Sequence, residues 1–374
     1  MASASSEDRA LIRESARAFL ADNSPSAAVR KSMETEHGYD PALWERVAGE
    51  LAWQGVAIDE AHGGLGLGWG ELAILMEEMG ASLFCSPFLA TICLAGAVIR
   101  EGGSDAQKSQ WLPTIASGTL TAALAYAEPG TNDIRTEART DGDSFVLHGT
   151  KRYVVDGQSA GLLIVAARKP GSTGQSGVGL FALPPDTKGV GRKALPTLDQ
   201  TRRQAEVTLN GVRVSRDALI GEMGGGWQIL SRALDLGAVA LAAEQAGGAR
   251  RCLELTVDYV KERVQFGRPI GSFQAIKHRC ADMMVQVESA ANAARYAADA
   301  ADAGDAEFPL LASMAKAYCS DAFYACAADT IQLHGGVGFT WEYDPHLYFK
   351  RARASASLLG DANYHRERIA AGIL

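Results

Sequence analysis

The chain has 374 residues, 47% hydrophobic and 21% charged, enough apolar material for a large core and too few charges for global disorder. Its formal net charge of -8 argues against a nucleic-acid binder, because phosphate-backbone affinity rests on clustered Lys and Arg. No apolar run is long enough to span a bilayer, and the opening MASASSEDRALIRESARAFL lacks the basic and apolar regions of a secretory signal.

In chain order, residues 1–120 read as a helical domain. Leu43 to Leu51 and Trp69 to Met79 carry apolar residues at three- and four-residue spacing, with a break at His62-Gly63-Gly64. Residues 121–225 change character. DSFVLHG, KRYVVDG, GLLIVAAR, VGLFALP and QAEVTLNGVRV are short β-rich runs separated by Gly, Asp and Pro. They predict a middle β-barrel or sandwich with no parallel sheet anywhere in 121–222. Residues 226–374 return to helix. Ile229 to Arg263, Phe273 to Ala301 and Leu310 to Leu333 are long, Ala-rich runs with short joins, the pattern of a four-helix bundle. The fold class is therefore α+β, in the order helices, β domain, bundle. Six scattered cysteines without CxxC spacing read as buried reduced thiols, so a cytoplasmic location is the expectation. Seven histidines form no metal-ligand grouping, and no metal is expected.

Local strings in all three zones carry a more specific signal. They are LAWQGVAIDEAHGGLG followed by MEEMG, then AYAEPGTND and GTKRYVVDG, then ERVQFGRPIGSFQAIKH and IQLHGGVGFTWEYDPHLY. In this order and spacing the chain resembles the acyl-CoA dehydrogenase family over essentially its whole length. The resemblance implies α,β-dehydrogenation of an acyl-CoA thioester: a carboxylate removes the α-proton while a β-hydride passes to FAD. It also implies an electron-transfer flavoprotein or similar acceptor, and a tetramer in which FAD lies across a subunit interface.

The half of that cofactor site given to a neighbouring subunit looks intact. By resemblance, Arg263 pairs with the pyrophosphate, a role suited to the bidentate geometry of a guanidinium. Phe266 and Gln274 flank the adenosine part, while Gln332, Gly335 and Gly336 allow close backbone approach. The half that holds the chain's own flavin looks eroded. Tyr126 and Ala127 stand before Glu-Pro, where the family pattern has Ser or Thr at 127. Asn132 replaces a pyrophosphate-binding Ser, and Tyr153-Val154-Val155 replaces Trp-Ile-Thr/Ser. A valine at 155 cannot donate the hydrogen bond that a hydroxyl supplies beside flavin N5.

The base is missing from both positions where the resemblance puts it. Leu359 stands at one and Gly237 at the other, and Ala238 replaces a neighbouring CoA-contacting arginine. Asp361 and Glu244 are substitute carboxylates, the first also a natural helix N-cap and the second also a natural buried partner within the bundle. Three functions follow. The chain is a partner subunit of an α2β2 complex lacking its own base, or an active homotetrameric dehydrogenase with a shifted carboxylate. The third is another flavin oxidoreductase on the same fold, an oxidase or an enzyme for a non-CoA substrate.

Overall fold

The computed structural model describes residues 5–131 and 133–373. The elements follow the expected order. Helices α1 (Ser6–Asn23), α2 (Ser26–Glu34), α3 (Pro41–Leu51), α4 (Trp69–Ala81), α5 (Ala97–Gly102) and α6 (Asp105–Ala116) come first. A mixed sheet follows, and then helices α7 (Gly226–Glu262), α8 (Gln274–Ala303), α9 (Phe308–His334), α10 (Pro345–Ser357) and α11 (Ala362–Ile373). The chain forms two compact units: one of the residues up to Lys31, Gly68–Phe84 and those from Ala238 onward, the other of Ser32–Leu67 and Cys85–Gly237.

The first unit is helical. Helix α1 starts at a capping box, in which the Ser5 side chain accepts from the Asp8 amide at 3.1 Å and the Asp8 carboxylate accepts from the Ser5 amide at 3.1 Å. The N-terminus of α4 is capped from α8: the Trp69 and Gly70 amides donate to the Asp302 carboxylate at 2.7 and 2.9 Å. Helices α4 and α7 then cross in backbone contact. A Cβ on Gly80 would lie 1.9 Å from the Glu244 carbonyl oxygen, and one on Gly247 1.8 Å from that of Glu77. Reciprocal glycines are what lets two helices approach this closely. Arg13, Arg17 and Arg250 converge on the buried Glu78 carboxylate and join α1, α4 and α7.

The second unit is built on strands β1 (Ala122–Ala125), β2 (Glu137–Asp141), β3 (Ser144–Val155), β4 (Leu162–Arg168), β5 (Val178–Leu183), β6 (Val190–Ala194), β7 (Gln204–Ser215) and β8 (Leu219–Ile220). They form one sheet in the order β6-β7-β3-β2-β4-β5-β8, with β1 on β4. The sheet is mixed, against the expectation of no parallel sheet in 121–222: β1 runs parallel to β4 from Ala122↔Leu162 to Ala125↔Val165, and β2 touches β4 in parallel at Glu137↔Arg168. The reason is topological. The β2–β3 hairpin lies between β1 and β4 in sequence, and a connection that long can return the chain in the same direction. Phe145 on β3 meets Phe181 on β5 edge to face at 5.2 Å, although two strands separate them in the sheet. The sheet therefore curls so that alternate residues of distant strands share one core, including Leu147, Val165, Leu183 and Val207.

Among the described residues no helix is long and apolar enough to cross a membrane. Cys85, Cys93, Cys252, Cys319 and Cys326 are buried free thiols, and Cys280 is half-buried.

Candidate active site

The residues to which the sequence assigns roles lie in three groups, with the α7 positions beside the first. The first surrounds position 359. Helix α10 ends at Ser357, and the chain turns through Leu359 with φ 60° and Gly360 with φ 100°. A leucine in the left-handed region is unusual and costs about 1–2 kcal/mol. Asp361 follows, exposed, and its carboxylate accepts from the Tyr364 amide at 2.8 Å while its carbonyl accepts from the His365 amide. It caps α11, and this capping accounts for its side chain. The His365 ring is buried, with Nε2 3.1 Å from the Leu359 carbonyl oxygen. Burial, then the charges of Lys316 and Arg368, push its pKa down to about 4, so the ring is neutral near pH 7 and Nε2 is the donor.

Gly237 and Ala238 are buried on α7, as is Asp235. Further along the helix, the Glu244 carboxylate accepts from the Arg351 guanidinium of α10 at 2.9 Å. Their side chains are 5% and 2% exposed. Glu244 is thus engaged as a buried ionic partner, the second of its two predicted roles.

The second group holds Tyr126, Ala127, Tyr153 and Val155; Asn132 lies outside the described residues. The structure brings the two segments together. The Arg152 amide donates to the Ala127 carbonyl at 2.9 Å. Beneath them lies a buried clamp: Lys151 Nζ donates to Glu128 Oε1 at 2.5 Å and to the Tyr126 carbonyl at 3.2 Å. The same Glu128 oxygen accepts from the Thr136 amide and hydroxyl at 2.9 and 2.7 Å. Burial pushes the Lys151 ammonium down to about 8 against the pull of Glu128. Burial also works to raise the Glu128 carboxyl, but Lys151 and Thr136 outweigh it and hold it below the usual range. Both groups are therefore charged at pH 7. A bulge in β3 between Lys151 and Val154 puts Tyr153 at φ 61° and leaves the residue 53% exposed, while Val155 is buried.

The third group is at the bundle surface. Arg263, Phe266, Gln274, Gln332, Gly335 and Gly336 are all exposed. Tyr259 of α7 stacks on His334 at a ring distance of 4.2 Å and donates to its carbonyl at 3.2 Å. This contact ties the segment leading to Arg263 to the end of α9, where Gly335 and Gly336 follow. Phe266 is 91% exposed at φ 54°, with one edge on Phe273.

These residues can be compared with what FAD requires. On the bundle surface the Arg263 guanidinium has no ion pair among the described residues, and added Cβ atoms on Gly335 and Gly336 would meet nothing within 4 Å. A free guanidinium, an exposed ring and open space beside a glycine backbone fit an adenosine diphosphate group. The other segment fits less completely. Ala127 and Val155 offer backbone groups but no side-chain donor. Gln158, which the sequence did not single out, has both amide atoms buried without a hydrogen-bond partner, an unfilled polar capacity three residues beyond Val155.

Comparison with known proteins gives the same reading. Residues 6–119 match the acyl-CoA dehydrogenase N-terminal domain and residues 224–374 the acyl-CoA dehydrogenase C-terminal domain. The acyl-CoA dehydrogenase IpdE2 of Mycobacterium tuberculosis is 36% identical over 94% of this chain and 93% of its own. A chain solved in work on the electron transferring flavoprotein of Acidaminococcus fermentans superposes with a TM-score of 0.93 at 28% identity, covering 100% of both chains. A Tcur3481-Tcur3483 steroid ACAD variant gives a TM-score of 0.89 at 31% identity, covering 98% of both. The fold and these matches define a FAD-dependent oxidoreductase. The chain belongs to the acyl-CoA dehydrogenase family.

Proposed function

We propose that this chain works in the α,β-dehydrogenation of a CoA thioester as the partner subunit of an α2β2 complex whose other chain carries the base. One observation carries the reading. Neither position assigned to the base has a carboxylate, and both nearby substitutes are engaged elsewhere, Asp361 as a helix cap and Glu244 in a buried ion pair. Losing a general base costs about 10²- to 10⁴-fold in rate.

The proposed roles follow the three groups. Arg263, Phe266, Gln274, Gln332, Gly335 and Gly336 hold the adenosine diphosphate end of a FAD whose flavin sits in the neighbour. Tyr126, Ala127, Tyr153 and Val155 line this chain's own flavin segment, Ala127 and Tyr153 through backbone groups, and the sequence adds Asn132 to them. When bound, FAD supplies the hydride acceptor. An electron-transfer flavoprotein is the inferred redox partner, supported by the A. fermentans likeness. The paired name of the steroid ACAD neighbour supports a two-chain assembly and makes a bulky polycyclic acyl group the first substrate to try.

The test is purification alone and together with a candidate acyl-CoA dehydrogenase partner, reading flavin per chain, mass by light scattering, and turnover with CoA thioesters. Little flavin and no turnover alone, with both appearing in a tetramer, are expected. Full flavin occupancy and turnover in the isolated chain would end the partner-subunit reading in favour of the homotetramer.

A further inference from the structure

Lys316 lies on α9 with its ammonium fully buried. It makes no ion pair among the described residues. Its three hydrogens go instead to the Ser320 hydroxyl at 2.8 Å, the Ala356 carbonyl at 3.3 Å and the Gly360 carbonyl at 3.2 Å. A buried ammonium without a carboxylate is expensive, and a hydrophobic residue of similar volume would avoid that cost. Packing alone therefore does not explain the lysine.

Its acceptors do. Ala356 is in the last turn of α10, where a cation also meets the negative end of the helix dipole. Gly360 is in the left-handed turn. The two carbonyls bracket Leu359, and the Leu359 carbonyl itself is held by His365 Nε2. The carbonyls of Ala356, Leu359 and Gly360 thus end on buried polar side chains. The lysine is anchored in turn: Ser320 donates to Gln245 Oε1 at 3.2 Å, and Gln245 Nε2 donates to Ser355 at 3.1 Å. This chain of contacts joins α7, α9 and α10. Strained backbone persists where its surroundings over-determine it, and here they do.

We propose that Lys316 is the positioning residue for position 359, so that this chain keeps the mount for a proton-accepting side chain it no longer carries. The assignment of 359 as a base position rests on the functional reading above. The clamp itself does not. The charged groups around the ammonium are Asp321 and Asp361, with the thiol of Cys319; His365 and Arg368 stand beside the turn. Burial brings the ammonium down to about 8, so the clamp weakens as pH rises through that value.

The experiment is hydrogen exchange on the full chain, read as protection factors in peptides spanning 356–365. Lys316→Met should lower protection of the 359–361 amides at least tenfold. Ser320→Ala, which keeps both carbonyl bonds, should lower it less than threefold. In the unmodified chain, protection of these amides should fall between pH 7 and 9 while α8 stays constant, a readout that survives even where Lys316→Met does not fold. Unchanged protection in Lys316→Met, or no pH dependence in the unmodified chain, overturns the proposal. Leu359→Glu separates it from the functional reading. Turnover gained by Leu359→Glu, with kcat but not KM falling on adding Lys316→Met, supports both. Collapsed protection with no turnover from Leu359→Glu supports the clamp and removes position 359 as a base site.

Discussion

The buried pair Glu244–Arg351 can be used to separate a structural carboxylate from a catalytic one. The two side chains are 5% and 2% exposed and meet at 2.9 Å between α7 and α10. Arg351→Met would deprive a buried carboxylate of its guanidinium. Breaking such a pair costs about 3–5 kcal/mol, whereas replacing both members by apolar residues is close to neutral and sometimes stabilising. Arg351→Met and Glu244→Met should therefore each lower the denaturation free energy by about 3–5 kcal/mol, and the double variant should return most of that loss. Urea unfolding of all four proteins closes the double-mutant cycle. The activity of the assembled complex should follow stability, so that the double variant turns over at close to the unmodified rate. If Glu244→Met were mild in urea and yet abolished turnover, Glu244 would be the shifted base and the ion-pair argument would be wrong.

Two more perturbations follow from the geometry. His365 titrates near 4 in the folded chain against about 6.5 unfolded, so the unfolded state binds the extra proton between these values and stability falls as pH drops from 6.5 through 4. At about 1.4 kcal/mol per decade the loss reaches up to about 3 kcal/mol; His365→Gln, which keeps a donor for Leu359, should flatten the pH profile of thermal unfolding, and an unchanged profile would assign it to other groups. At Gly247 a Cβ would stand 1.8 Å from the Glu77 carbonyl oxygen, so Gly247→Ala should destabilise by about 1–3 kcal/mol or more, against the gain of about 1 kcal/mol that an open helix site gives. A raised melting temperature in Gly247→Ala would refute the α4–α7 backbone contact.

Element type was legible wherever the pattern was local. The spacing in Leu43 to Leu51 and Trp69 to Met79 recurs as α3 and α4, and the Ala-rich runs recur as α7, α8 and α9. Strand runs were legible too, but not their partners. DSFVLHG and KRYVVDG read as separate strands across Gly149, yet they form the single strand β3, because Gly149 lies where a Cβ would press into Thr136 and is there for close approach. Ala122–Ala125 has weak strand propensity. It is a strand because β4 lies beside it and the Thr91 hydroxyl accepts from the Ala122 amide at 3.0 Å. Direction of pairing is a property of the connection, which is why the parallel β1–β4 contact was not foreseen.

The candidate site divides along the same line. What depends on residue type, the leucine at 359, the glycine at 237 and the valine at 155, can be read from the sequence. What depends on distant partners cannot. Arg351 is 107 positions from Glu244, and Gly360 is 44 from Lys316. Lys316 in its own helix looks like any solvated lysine of an Ala-rich segment, and only the folded chain shows it buried. The same asymmetry bears on function. The departures that the resemblance implies are in side chains, whereas the contacts that hold the surrounding segments are made: Arg152 to Ala127, Lys151 and Thr136 to Glu128, Lys316 and His365 to the turn at 359. A chain whose site had collapsed would not need a buried, carboxylate-free ammonium to hold a left-handed leucine. Under the proposed partner-subunit function, a subunit that must fit a catalytic neighbour while leaving the proton transfer to it would keep that scaffold and dispense with the base.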